Sequence, residues 1–550
     1  MTASLLVRRP SVAFLAGWLF AALLFAGWSL ATPISSAPDE PSHVVKAAAT
    51  VRGDLTGRPT DATGIEAFTL PRDVSDLGGA MACTAAQPTV PATCQPDLDS
   101  FGDDEFAATS GVGSYNPLYY ALVGWPSLFL GGDAAVIGMR LVSALVNAFF
   151  VGVVAWAAAQ MRRGSAVAAW SAVALTPMAT YLGGMVNPNG VEVTGCLALA
   201  AVAWLIVHDP DGPRLGVRAG ALVVAGVVAG NARSASPLFV LLIVVAVLLT
   251  VPVRDVGDLL RRRPVWLAAA VAAVGLGAAA AWTVLVAAPA GFIPSSDPAR
   301  DTLLPAVLHT LAATENYGTE MIGVLGWFDT GLPQPVYYGW TAGVGLVVAG
   351  ALGFARRRAL VGAGLLMVAL LLVPSVLQAP SAAAFGYIWQ GRYSLPVFVG
   401  MVIVAGLAWQ HARPSHERWL RLVVVVVSAA TVGQVASFAT AYRRYSVGVS
   451  RPFRDVLEPG SWQAPGGLVA VALVFVVGAV GLGVLGVLVT RAVEAAAAEI
   501  PSSADAPASA DAPSSVDASP VRADGGGEPA AGTDPALDVA PGRATHAPRA

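Results

Sequence analysis

The sequence is poor in charge, in cysteine and above all in lysine. Only 12% of its 550 residues are charged, against about 25% in an ordinary soluble domain, which argues against a water-soluble fold. Its basic residues are almost all arginine, with the single lysine Lys46. That bias fits a GC-rich bacterial genome and says nothing about mechanism. A formal net charge of −3 gives no sign of a nucleic-acid partner. The six histidines are scattered, so no His/Cys group has zinc spacing. A glycine-rich phosphate loop and a serine-nucleophile elbow are also missing. Of the three cysteines, Cys196 lies in an apolar run and reads as core. Cys83 and Cys94 lie close together in a polar stretch, where a disulfide is one reading if that stretch is extracytoplasmic; spacing alone leaves it open.

What the chain has in excess is apolar surface: 55% of residues are hydrophobic and mean hydropathy is +0.65. A helix of about 20 apolar residues crosses a hydrocarbon core of about 30 Å. Twelve such runs lie near 11–32, 133–160, 165–183, 190–207, 215–231, 236–252, 265–288, 338–355, 359–377, 394–410, 419–440 and 467–490. They predict an all-α polytopic membrane protein with about 12 transmembrane helices. Segment 116–130 is apolar but short and broken by Pro117 and Pro126, and reads as interfacial or re-entrant. The first run could be a signal peptide cut near Ala31, but its length favours an uncleaved anchor.

Arginines set the expected orientation, because cytoplasmic loops are enriched in them. Arg8 and Arg9, Arg162 and Arg163, Arg214, Arg254 with Arg261 to Arg263, Arg356 to Arg358, Arg413 with Arg418, and Arg491 all fall on one side if 116–130 does not cross. Both termini are then cytoplasmic and the location is the bacterial plasma membrane. The expected layout is a cytoplasmic start at 1–10, a first span at 11–32, and an extracytoplasmic loop at 33–132 with a juxtamembrane helix near 116–130. A bundle at 133–490 follows, with outer loops 289–337, 378–393 and 441–466. Residues 491–550 form a cytoplasmic tail, too polar over 500–550 to offset the entropy of ordering and so disordered.

Several outer motifs carry chemistry, and each has a plain structural reading beside it. In Pro38-Asp39-Glu40-Pro41-Ser42-His43, two carboxylates and an imidazole follow the first span. A carboxylate there could act as general base or help hold a cation; alternatively Asp39 caps the next helix. Tyr115-Asn116-Pro117-Leu118-Tyr119-Tyr120 either anchors at the interface or walls a lipid groove. Asn187-Pro188-Asn189-Gly190-Val191-Glu192 puts Glu192 at a helix start, for structure or for a site. Gln390-Gly391-Arg392-Tyr393 offers a guanidinium that either grips a phosphate or pairs with a loop carboxylate, and Arg233 shares the ambiguity. In Leu325-Gly326-Trp327-Phe328-Asp329, the aromatics form an interfacial belt or stack on a sugar whose hydroxyls Asp329 binds.

Taken in order, these motifs resemble the DUF2142 family of bacterial membrane proteins, over about residues 10 to 490. That family in turn resembles the GT-C class of glycosyltransferases, which are polytopic, take sugars from polyprenyl-phosphate carriers and act on the outer face. The resemblance implies a GT-C-like bundle with a large first extracytoplasmic loop. It aligns Asp39 and Glu40 with an acidic motif, Pro117 to Tyr120 with a juxtamembrane helix, and Arg140 with an arginine in the second span. A second acidic site would fall on Asn187, Asn189 and Glu192. Asparagine at 189, where a carboxylate is expected, leaves the cofactor unknown: a divalent cation is possible but not required.

The expected function is transfer of a sugar from a polyprenyl-phosphate carrier to an envelope glycan, lipid or protein. Asp39 and Glu40 would be catalytic. His43, Asn116, Tyr119, Asn187, Asn189, Glu192, Arg233, Trp327, Asp329, Gln390, Arg392 and Tyr393 would bind substrate in a setting of membrane lipid. A transporter or flippase of a lipid-linked precursor is one alternative, although 265–288 and 467–490 offer almost no polar path. A non-catalytic envelope scaffold is another.

Overall fold

A computed structural model describes residues 3–62, 64–161, 165–287, 303–382, 386–409 and 415–498. They belong to one compact unit, Met1–Ile500. Arg162, Arg163, Arg413, loop residues 289–302 and tail residues 499–550 lie outside the described residues.

The protein is an all-α polytopic membrane protein. Its apolar runs become α1 (Pro10–Ala31), α4 (Gly132–Gln160), α5 (Ser165–Ala174), α6 (Pro177–Gly183), α7 (Pro188–His208), α8 (Leu215–Gly230), α9 (Ser236–Leu248), α10 (Arg263–Trp282), α11 (Gln334–Phe354), α12 (Arg357–Gln378), α13 (Leu395–Ala408), α14 (His416–Val447) and α15 (Gly467–Ala498). Between α1 and α4 lie α2 (Glu40–Val51) and α3 (Pro117–Val123). Every one of the twelve runs is helical, but among the described residues nine helices are long and apolar enough to cross a membrane. A tenth results if α9 and the helix Val253–Leu260, bent by 115° at Pro252, count as one span. Run 165–183 is two pieces because Pro177 starts a new helix capped by Thr176, whose hydroxyl accepts from Ala179 N–H. Helix α8 has 16 residues, or about 24 Å at 1.5 Å per residue. Helix α15 continues past residue 490 to Ala498.

Two spans are buried along almost their whole length. The apolar windows of α7 and of Gly391–Ala408 are each 94% buried, against 28% for α15 and 6% for Arg263–Ala287. A helix that is apolar all round is stable at the centre of a bundle or in lipid, and these two take the centre. Both begin at the end of the bundle that carries the polar loops. That end carries Asn187, Asn189 and Glu192 on one helix and Gln390, Arg392 and Tyr393 ahead of the other.

The first loop is not shapeless. Strands β1 (Arg58–Pro59), β2 (Glu66–Pro71) and β3 (Glu105–Ser110) form an antiparallel sheet in that order, with Phe68 opposite Ala108. Helix α2 packs on it through Val45, Ala48, Ala49, Phe68, Leu70 and Ala108. Lys46 is buried and donates to the Gly113 carbonyl at 2.5 Å, tying α2 to the end of the loop. Cys83 and Cys94 are joined by a disulfide. Helix α3 has seven residues, too few to cross a bilayer. Beyond it Trp125, Leu128, Phe129 and Leu130 are exposed apolar groups.

Candidate active site

The site is built on the chain between α1 and α2. Pro33, Pro38 and Pro41 limit its backbone, and Ser35 and Asp39 sit at φ of 64° and 60°. Non-glycine residues hold such angles only where their surroundings enforce them. Here the enforcement is visible carbonyl by carbonyl. Arg140 donates to Ser29 O at 2.9 Å, Thr32 O at 2.5 Å and Pro33 O at 3.0 Å. Gln95 donates to Ile34 O at 2.6 Å, Trp327 to Ser35 O at 2.9 Å, Tyr445 to Ser36 O at 3.3 Å and Asn187 to Pro38 O at 3.1 Å. Five side chains from different parts of the chain therefore fix the strained approach to Asp39.

The two adjacent carboxylates have opposite fates. Glu40 is fully buried and takes a two-pronged contact from Arg140, with Nε to Oε1 at 2.7 Å and the second guanidinium nitrogen on Oε2. Val186 N–H donates to the same Oε1 at 3.2 Å. Asp39 stands at the N-cap position of α2 but makes no capping hydrogen bond. Its Oδ2 instead accepts from Arg392 at 2.5 Å. The Asp39 side chain keeps 42% of its exposure while Arg392 keeps 1%. The expected capping role therefore gives way to an ion pair that faces solvent on one side only.

Around this pair lie the other cations and rings. Arg392 stands over Phe328 (5.5 Å) and Tyr393 (5.0 Å), and Arg233 stands over Tyr393 at 4.0 Å. Arg392 Nε and Gln390 Oε1 are buried with no hydrogen-bond partner among the described residues, an unusual state for buried polar atoms. His43 Nδ1 shares a hydrogen bond with Tyr120 OH at 2.9 Å. Burial, assisted by Arg392 and Arg233 against Asp39, pushes the His43 imidazole down to about 3, so it is neutral at physiological pH. Burial alone would raise the Asp39 carboxyl, but Arg392, with Arg233 beyond it, holds it below the usual carboxylate range. The site thus presents an ionised, accessible carboxylate beside two guanidiniums.

The remaining motif residues act one step away. Glu192 is buried and accepts from Ser236 at 2.5 Å and Asn189 at 3.3 Å. Because Arg233 N–H donates to the same Ser236 hydroxyl at 2.9 Å, Glu192 braces the Arg233 turn. Asn187 also caps α7 by accepting from Asn189 N–H. Asn116 caps α3 and donates to Asn231 at 3.0 Å, and Tyr119 bonds Ser143 inside the bundle. Asp329 is buried against Arg444 at 2.8 Å, so its carboxylate is not open to a sugar. Trp327 spends its N–H on Ser35. Among the described residues no three His, Cys, Asp or Glu side chains could hold a metal ion together.

Two participants, Arg444 and Glu320, had no sequence signal, and Phe328 was visible only as one aromatic of its motif. Arg444 donates to Thr84 O, Gln87 O and Val90 O, all within the disulfide loop, as well as to Asp329. Glu320 accepts from Gly391 N–H at 2.6 Å and so fixes the turn carrying Arg392. Phe328, at φ 59°, lies beneath Arg392.

A family model described as "Predicted membrane protein (DUF2142)" matches residues 22–401. The chain belongs to the DUF2142 family. The matched range carries every site residue from Asp39 to Tyr393, whereas Arg444 lies beyond it. No curated protein matches this DUF2142 chain. Among solved structures it is similar to ArnT from Cupriavidus metallidurans bound to undecaprenyl phosphate, at 16% identity and a TM-score of 0.40, over 88% of this chain and 77% of that one.

Proposed function

We propose that this DUF2142 protein is a membrane glycosyltransferase. It moves a sugar from a polyprenyl-phosphate carrier to an envelope acceptor on the extracytoplasmic face. The observation that supports this most is the pairing of Asp39, ionised and open to solvent, with the buried Arg392 from 353 residues later. Asp39 takes the proton from the acceptor hydroxyl as its oxygen attacks the anomeric carbon. The glycosyl–oxygen bond breaks and its electron pair leaves on the carrier phosphate. Arg392, through its unpartnered Nε, and Arg233 stabilise that phosphate, a role for which a planar guanidinium is suited. Glu40 is a positioning residue: with Arg140 it locks the backbone that carries Asp39. The exposed apolar groups at 125–130 would meet lipid near the end of α2 away from Asp39, where Arg52 holds Ser127, and offer a surface to the prenyl chain.

In this reading the loop end faces outwards and both termini are cytoplasmic. The test is transfer from radiolabelled polyprenyl-phosphate sugars by the purified protein. Asp39→Asn should lower the rate by about 10²–10⁴, the usual contribution of a general base. An undiminished rate in that variant would remove Asp39 from the chemistry.

A further inference from the structure

A polar cavity opens at the loop end, and the chemistry above makes no use of it. Its volume is about 320 Å³, within the range of small-molecule sites. Five stretches distant in sequence build it: the residues around the end of α1 with Thr32, Met81, the stretch on either side of Cys94 with Thr93 and Asp97, the start of α4 with Asp133 and Arg140, and the residues before α15 with Trp462. Arg140 is committed to Glu40 and to three backbone carbonyls. The two carboxylates therefore dominate the field at the mouth and disfavour a phosphate. Carboxylates accept well from hydroxyls, and the half-buried Trp462 indole offers a flat apolar face. Thr32 is 2% exposed and its Oγ1 has no partner among the described residues.

From this lining we infer that the cavity is a carbohydrate-binding pocket, separate from the Asp39 site, that takes a neutral sugar unit of the acceptor glycan. Carboxylates for hydroxyls, an indole for the C–H face of the ring and a bias against anions are the features such a ligand needs. The wall between the two sites is the 32–38 segment with the Arg140–Glu40 pair, so an occupant would rest against the backbone that holds Asp39. The term acceptor rests on the transferase reading; sugar binding does not.

The test uses the full chain in phosphatidylglycerol nanodiscs, free of sugar-headed detergent. Saturation-transfer NMR is recorded with glucose, galactose, mannose, arabinose and N-acetylglucosamine in turn. At least one sugar should receive saturation from the wild type. Its affinity should fall at least about tenfold in Trp462→Ala and fall also in Asp97→Asn, which keeps a capping group for Asp99 N–H. Asp39→Asn should leave it unchanged, and inorganic phosphate should not displace it. Absence of saturation for all five sugars, or a signal that survives both substitutions, overturns the pocket. Sugar binding without any transfer activity would retain the pocket and remove the transferase reading; transfer without sugar binding would do the reverse.

Discussion

Exchanging the two adjacent acids one at a time should separate chemistry from stability. Asp39→Asn removes a charge from a side chain that is 42% exposed, beside an arginine that is 1% exposed. Asparagine keeps an acceptor for Arg392 and water reaches the position, so the stability cost should be about 1 kcal/mol. Glu40→Gln removes a charge from a pair whose side chains are 1% and 0% exposed. The Arg140 guanidinium is then left buried without a counter-charge, which costs about 3–5 kcal/mol. It also loosens the carbonyls of Ser29, Thr32 and Pro33 that Arg140 gathers. The assay is the fraction of monodisperse protein left after graded heating in detergent, alongside the transfer rate at a permissive temperature. Glu40→Gln should be lost at clearly lower temperature than wild type while retaining measurable transfer. Asp39→Asn should melt close to wild type and lose about 10²–10⁴ in transfer rate. If Asp39→Asn were the less stable of the two, the assignment of separate roles to these neighbours would fail.

Arg233→Lys keeps the charge but loses the flat contact 4.0 Å above Tyr393; the KM for the lipid donor should rise about tenfold, in line with a partly desolvated cation–π contact, with little change in kcat. The acid limb of the kcat/KM profile should lie below the ordinary aspartate range in wild type, because Arg392 favours the ionised Asp39. In Arg392→Gln, burial is no longer opposed by that guanidinium, so residual activity should be lost at higher pH. The sign for stability is the same: a lowered folded-state value contributes fully above the unfolded carboxylate range and is lost as pH falls through the folded value. Cys83→Ser with Cys94→Ser should cost about 2–3 kcal/mol and raise amide hydrogen exchange over residues 84–93. Retained protection there would mean that Arg444, with its three carbonyl contacts, holds the loop alone.

The spans were legible because lipid demands long apolar runs, and every run drawn from hydropathy is helical. Lengths were less legible. Pro177 divides a run that composition joins, and α8 is apolar but short. The motifs around Asp39, Asn187 and Arg392 were visible as polar, proline-marked interruptions beside apolar helices. Their meeting place was not, since no local pattern encodes a contact between residues 39 and 392. Nor could spacing tell which of Asp39 and Glu40 remains accessible. That is decided by Arg140, one hundred residues on, which captures Glu40 and turns its neighbour outward. Asp329 read as a sugar ligand because its partner Arg444 lies 115 residues further along, near the end of a long apolar helix. The small sheet was missed because its strands are short and separated by a loop of turns.

An experimental structure of the protein with a polyprenyl phosphate bound would test the central claim most directly. The phosphate should lie within hydrogen-bond reach of Arg392 and Arg233, with the Asp39 carboxylate facing the adjoining open space. A phosphate held elsewhere, with the Asp39–Arg392 pair intact and closed to ligand, would contradict the account.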